Sequence, residues 1–180
     1  MTTITPTRET TFFLRPEGIA DEEFLLTLYA QERAAELEIF GLDALQRKLF
    51  VQMQFRARQS SYATYYPTAS GQLVVLECGT PIGRVLVERT EEEICLIDIA
   101  LINEQQGRGI GTKLIRALQM ECEVSGRKLK LQVLKGTAAE MLYRRVGFVA
   151  VGEDPFRIQM VWTGRLQHMQ EDAVSKRQLC

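Results

Sequence analysis

Leu96-Ile97-Asp98-Ile99-Ala100-Leu101, followed after a short polar connection by Gln106-Gly107-Arg108-Gly109-Ile110-Gly111, is the stretch whose reading decides the fold. The run from Ile94 to Ile102 is apolar and β-branched, broken only by Asp98, as expected of a central strand buried on both faces. Behind the glycines, Leu114, Ile115, Leu118 and Cys122 recur at helical spacing until Ser125-Gly126 stops the helix. Three alternate glycines let backbone approach an anion closely, and the unpaired N–H groups of the following first helical turn meet it with the positive end of the helix dipole. Strand, glycine turn and helix together predict a phosphate cradle.

What the turn lacks narrows its ligand. A P-loop needs Gly-Lys followed by Ser or Thr, whereas Gly111-Thr112-Lys113 inverts that order. A dinucleotide fingerprint needs GxGxxG at the start of a βαβ unit; here the third glycine is one residue too close and the turn follows three antiparallel-type strands.

Working outward, Thr11 to Leu14 reads as a strand, and Asp21-Glu22-Glu23 caps a helix bearing Phe24, Leu25, Leu28 and Tyr29. A second helix starts near Asp43, with Gln46 three residues on, and runs toward Arg58. Leu73 to Glu77 and Ile82 to Val87 form a hairpin about Cys78-Gly79-Thr80-Pro81. After the glycine turn come a strand at Leu129 to Leu134, a short helix from Thr137 to Val146, and strands at Phe148 to Val151 and Ile158 to Trp162. This order predicts one mixed α/β (α+β) sheet domain over residues 11–163, with 164–180 as a C-terminal extension.

The 180 residues, 46% hydrophobic and 25% charged, suffice for one core. A net charge of −1 offers no electrostatic footprint for nucleic acid or an anionic membrane. No apolar run approaches the roughly 18–20 residues that span a bilayer, and Met1 to Glu9 lacks an apolar signal core, so the expected location is the cytoplasm. Cys78, Cys95, Cys122 and Cys180 show no metal or redox spacing; Cys78 and Cys95 sit in apolar, strand-like runs and read as packed thiols. With His168 as the sole histidine, neither a Ser-His-Asp triad nor a His-ligated zinc is expected.

Gln106-x-x-Gly109-x-Gly111 resembles the acetyl-CoA pyrophosphate motif (Arg or Gln, x, x, Gly, x, Gly or Ala) of the GCN5-related N-acetyltransferase (GNAT) superfamily. Leu96 to Leu101 resembles the strand before that motif, and Leu142-Tyr143-Arg144-Arg145-Val146-Gly147-Phe148 the family's late Leu-Tyr…Gly-Phe signature. The resemblance implies the acyl-CoA N-acyltransferase fold, a mostly antiparallel sheet of six to seven strands flanked by about four helices. It implies acetyl-CoA as cosubstrate and no metal. The pantetheine arm is then assigned to the backbone of Ile99, Ala100 and Leu101. The pyrophosphate falls to Gln106, Gly107, Arg108, Gly109, Ile110 and Gly111, with Thr112 just after. Where the family often has an asparagine against the arm, this chain has Thr137.

Amide formation from a thioester needs a neutral amine, and a proton for the departing thiolate. A tyrosine hydroxyl, ordinarily near pKa 10, supplies that proton without itself being charged. Tyr143 matches the family's general-acid tyrosine; the plain alternative is a core aromatic. Its helix opens with a Thr137-x-x-Glu140 capping pattern. Asp98 is the candidate base because a carboxylate interrupting a buried strand is either paired or functional; Glu93 and Glu88 are runners-up near charged strand ends.

The resemblance implies an acceptor site built largely by the region between the first and second strands, where Phe40, Phe50, Phe55, Tyr62, Tyr65 and Tyr66 either wall a pocket or simply pack. The expected activity is acetyl transfer to a primary amine of a small molecule or a protein by direct attack in a ternary complex. The alternative is a non-catalytic acyl-CoA-binding or regulatory protein. A homodimer through residues 164–180 is compatible with either.

Overall fold

The computed structural model describes residues 10–164; the 165–180 part of the expected extension, with His168 and Cys180, lies outside the described residues. Seven strands form one sheet: β1 (Phe12–Pro16), β2 (Ser70–Leu76), β3 (Pro81–Arg89), β4 (Glu93–Leu101), β5 (Lys128–Leu134), β6 (Val149–Glu153) and β7 (Arg157–Trp162), in the order β1-β2-β3-β4-β5-β7-β6. Every neighbouring pair is antiparallel except β4 and β5, which are parallel. A parallel pair needs a crossover, and the helix α3 (Ile110–Ser125) supplies it. The other helices are α1 (Glu22–Ile39), α2 (Ala44–Tyr65) and α4 (Ala138–Arg145).

The helices cover opposite faces. Ile110, Leu114, Ile115, Leu118 and Cys122 of α3, with Tyr143 of α4, bury one apolar stripe against Ile94, Leu96, Leu129 and Leu131. On the other face Leu25, Tyr29 and Leu37 of α1 and Val51 and Phe55 of α2 pack on Leu73 and Val75. No helix among the described residues is long and apolar enough to cross a membrane.

Several element ends depart from the sequence reading. Asp21 does not cap α1 with its side chain; its carboxylate takes Arg15 at 2.7 and 2.8 Å and the Gly18 N–H at 2.8 Å. Arg15 first and Gly18 second lower its pKa to about 2. The second helix does not stop near Arg58 but runs to Tyr65, because its Asp43–Gln46 capping box starts a helix with no breaker before Pro67. Cys78 is not packed in a strand: it lies exposed in the β2–β3 turn, whereas Cys122 is buried.

Two irregularities shape β4. Its register with β3 shifts between Leu86 opposite Asp98 and Val87 opposite Leu96, leaving Ile97 as the extra residue of a β-bulge. Its pairing with β5 ends at Leu96 opposite Leu131, although both strands continue beyond. The strands therefore part, and the β5-facing edge of β4 from Ile97 to Leu101 has no strand beside it.

Gly83 backs this free edge from β3, opposite Leu101. A Cβ there would overlap the Ala100 carbonyl oxygen and stand 2.6 Å from Leu101 Cδ2. Gly83→Ala should accordingly cost about 1–3 kcal/mol, the usual range for overpacking, read as a lower midpoint in urea with an unchanged slope.

Candidate active site

The glycine turn is built by sequence-local forces. Gln106 Nε2 donates to the Leu101 carbonyl at 2.9 Å and to Asn103 Oδ1 at 3.3 Å, tying the turn to the end of β4. Gly107 and Gly109 adopt φ of 71° and 79°, the left-handed region that side chains disfavour. Gly109 is the N-cap of α3, and the first bond into the helix runs from the Lys113 N–H to the Gly109 carbonyl at 3.0 Å. The N–H groups of Ile110, Gly111 and Thr112 precede that bond and have no partner within the helix. Gly111 is not left-handed; its missing side chain leaves only Leu142 at 3.8 Å from where a Cβ would stand. Two of the three glycines are thus there for conformation, while at the third the protein itself leaves room for a Cβ. This cradle, opening beside the free edge of Ile99, Ala100 and Leu101, fits a pyrophosphate carrying an extended arm.

Arg108 is exposed at the turn. Thr137 caps α4, accepting from the Glu140 N–H at 3.3 Å and donating to the Leu134 carbonyl at 2.8 Å, so its hydroxyl is committed. The expected reciprocal box is absent: Glu140 reaches the Gly136 N–H at 2.8 Å and Arg144 at 2.8 Å instead.

Tyr143 is buried, with its ring edge-on to Phe148 at 5.6 Å between centroids. Burial, with the charge of Asp98 adding to it, pushes the hydroxyl up to about 12. A group so placed stays protonated throughout the range where amines lose their protons. The charge of Asp98 is thus felt at Tyr143, although the two side chains belong to opposite faces of the sheet.

Asp98 is paired, in a strand covered on both faces. The bulge at Ile97 turns Asp98 and Ala100 onto the α1–α2 face, while Ile99 and Leu101 pack on the opposite core. There Asp98 Oδ1 accepts from Arg58 Nη2 at 2.6 Å, and Oδ2 stands 3.8 Å from Arg84 Nη1. Burial pushes the carboxyl up, with Arg58 pulling it down, Glu32 adding to the rise and Arg84 opposing it. Arg84, itself buried, is held by Glu17 at 2.8 Å through two nitrogens and by Gln59 at 3.2 Å. Glu93 pairs with Lys130, and Glu88 accepts from the Thr68 hydroxyl at 2.8 Å, so both runners-up are engaged by other partners.

The aromatic set does not form one wall. Phe40 packs tilted against Phe50 where α1 meets α2, Phe55 is buried against Tyr29, Tyr65 is exposed, Tyr66 is half-buried, and Tyr62 joins the charged cluster, accepting from Arg58 Nε at 2.7 Å. Arg58 and Arg84 were missed from sequence: Asp98 lies 40 residues from Arg58, and no local pattern pairs them. A cavity of about 10 Å³ lies among Tyr29, Glu32, Arg58, Arg84 and Asp98; a larger open groove of about 480 Å³ runs outside it past Ile19 and Arg56. Leu25, Phe55 and Gln59 wall both. Among the described residues no group of three acidic, histidine or cysteine side chains is arranged to hold a metal ion.

Residues 69–150 match the family of acetyltransferase (GNAT) domains. No curated protein sequence matches the chain. The PaiA N-acetyltransferase of Thermoplasma acidophilum, solved in complex with coenzyme A, superposes with a TM-score of 0.64 at 14% identity, covering 86% of this chain and 99% of its own. FdhC, a nucleotide-linked sugar GNAT solved in its apo form, gives 0.61 at 15% identity over 94% of each chain. An acetyltransferase from Thermus thermophilus gives 0.60 at 17% identity over 87% of this chain and 99% of its own. At such identities the likeness is one of fold, and it agrees with the seven strands and four helices described above. Residues 69–150 therefore match the GNAT acetyltransferase domain family in sequence, and most of the described residues take the GNAT acyl-CoA N-acyltransferase fold.

Proposed function

We propose that the protein is an N-acetyltransferase that moves the acetyl group of acetyl-CoA to a primary amine of a small molecule or a protein in a ternary complex. The observation that carries this is the left-handed glycine cradle opening beside the unpaired edge of β4, with Tyr143 buried nearby. Gln106 to Thr112 would hold the pyrophosphate through backbone N–H groups, and Arg108 would add a charge-assisted contact. Ile99, Ala100 and Leu101 would meet the pantetheine arm, with Thr137 beside it. As the amine nitrogen bonds to the thioester carbon, Asp98 takes the proton that nitrogen loses, directly or through water. As the carbon–sulfur bond breaks, Tyr143 gives its proton to the sulfur and regains one from solvent. A phenol raised by burial donates to a thiolate that the same burial makes more basic.

Titration calorimetry with acetyl-CoA, desulfo-CoA and ATP should show binding of both CoA species and none of ATP; no binding of either CoA species would end the reading. A non-catalytic acyl-CoA-binding role is the second reading, favoured by the internal commitments of Thr137 and Asp98. Turnover with any amine rejects it.

A further inference from the structure

A carboxylate delivered into a protein interior by a bulge has one oxygen too many for a single donor, and its direction is set by whatever grips it. Arg58 grips Asp98 with unusual completeness. Its Nη2 donates to Asp98 at 2.6 Å, its Nη1 to Glu32 at 2.8 Å and its Nε to the Tyr62 hydroxyl at 2.7 Å. The guanidinium also lies 5.2 Å from the centroid of the Tyr29 ring and 5.4 Å from that of Tyr62. Three anchored nitrogens and two rings leave the planar fork no alternative rotamer, a constraint an ammonium could not reproduce.

We infer that Arg58 is a positioning residue for acetyl transfer: it fixes Asp98 Oδ1 and so directs the carboxylate that lines the small polar cavity. This rests on Asp98 being the base. The cavity, about 10 Å³, is the size of one water, and Arg84 Nη1 lies 3.8 Å from Oδ2, too far for a direct hydrogen bond. Oδ2 therefore keeps more acceptor capacity than Oδ1, which already takes Arg58. The groups facing Asp98 are Arg58 and Tyr62 from α2, Glu32 from α1 and Arg84 from β3, with Tyr143 on the opposite face of the sheet; Arg84 is neutralised by Glu17. Removing Arg58 leaves Asp98 beside Glu32 and raises its proton affinity. Burial opposes the charge of Arg58, but Asp98, Tyr62 and Glu32 outweigh it and hold the guanidinium above its ordinary pKa, so Arg58 is charged at neutral pH.

The test uses full-length protein, with the Asp98 carboxyl carbon followed by NMR through a pH titration in the wild type, Arg58→Lys and Arg58→Ala, Asp98→Asn serving to assign the signal. Arg58→Ala should raise the titration midpoint by about 1–3 units, the effect of losing an adjacent opposite charge, and added methylguanidinium should bring it back. Arg58→Lys should keep the midpoint within about one unit. With a panel of spermidine, lysine and tryptamine as acceptors, Arg58→Lys should still lose about tenfold or more in kcat at unchanged KM for acetyl-CoA, the mark of lost orientation. An unmoved midpoint in Arg58→Ala, or a fully active Arg58→Lys, overturns the inference. If Asp98→Asn leaves both rate and pH profile unchanged, it is Asp98 as base that fails, while the carboxyl titration still reports whether Arg58 governs it.

Discussion

Tyr143→Phe should lower kcat by about 10²–10⁴-fold, the usual contribution of a positioned proton donor, and leave acetyl-CoA affinity nearly unchanged. The substitution keeps the ring, its edge contact with Phe148 at 5.6 Å and its place in the core, and removes only the oxygen. The comparison is turnover with a responsive amine against calorimetry of acetyl-CoA binding. An unaltered rate would make Tyr143 a core aromatic and no more. Its titration carries a second signature. The folded state holds the phenolic proton up to about pH 12, against an ordinary value of 10.0. Stability from this group is complete below pH 10, and it declines as pH rises through 12. Tyr143→Phe should remove that part of the alkaline loss of stability.

Gly109→Val should abolish binding of CoA species while leaving the sheet folded. Gly109 sits at φ 79° as the N-cap of α3, and a β-branched residue there carries about 1–3 kcal/mol of strain. Nothing stands within 4 Å of where the Cβ would be, so the core is not disturbed by contact. The relief available to the chain is to turn the backbone, which swings the N–H groups of Ile110 and Gly111 away from the position an anion would take. Micromolar binding retained by a folded Gly109→Val would sink the cradle assignment. Far-ultraviolet circular dichroism and a melting curve separate this result from global unfolding.

The two elements that define the fold were legible because their signals are local. Alternate glycines before a helical apolar stripe can be read within a short span of chain, and so can Thr137 before the helix that carries Tyr143. The surroundings of Asp98 were not. A bulge leaves no composition of its own: Ile97 is one β-branched residue in a β-branched strand, and only the register with β3 reveals that it is extra. The hand that holds Asp98 comes from α2, 40 residues earlier, on a helix whose sequence reading stopped at the very residue involved. Charge pairing across a tertiary interface has no period to detect. Cys78 illustrates the reverse error, since one residue's shift in a strand end changes a packed thiol into an exposed one, its acidity increased by hydrogen bonding to Thr80.

The extra residue in β4 acts as a change of phase. Before it, even-numbered side chains belong to the core beneath α3; after it, they look toward the α1–α2 hairpin. Which functional groups meet an incoming substrate is thus decided by parity rather than by composition. The same residues paired in unbroken alternation, with Ile97 taking its own place opposite β3, would send Asp98 into hydrocarbon and present Ile99 in its stead. Relatives that share this strand should be aligned by where the phase slips, because a gap placed one residue away would equate side chains that stand on opposite sides of the sheet.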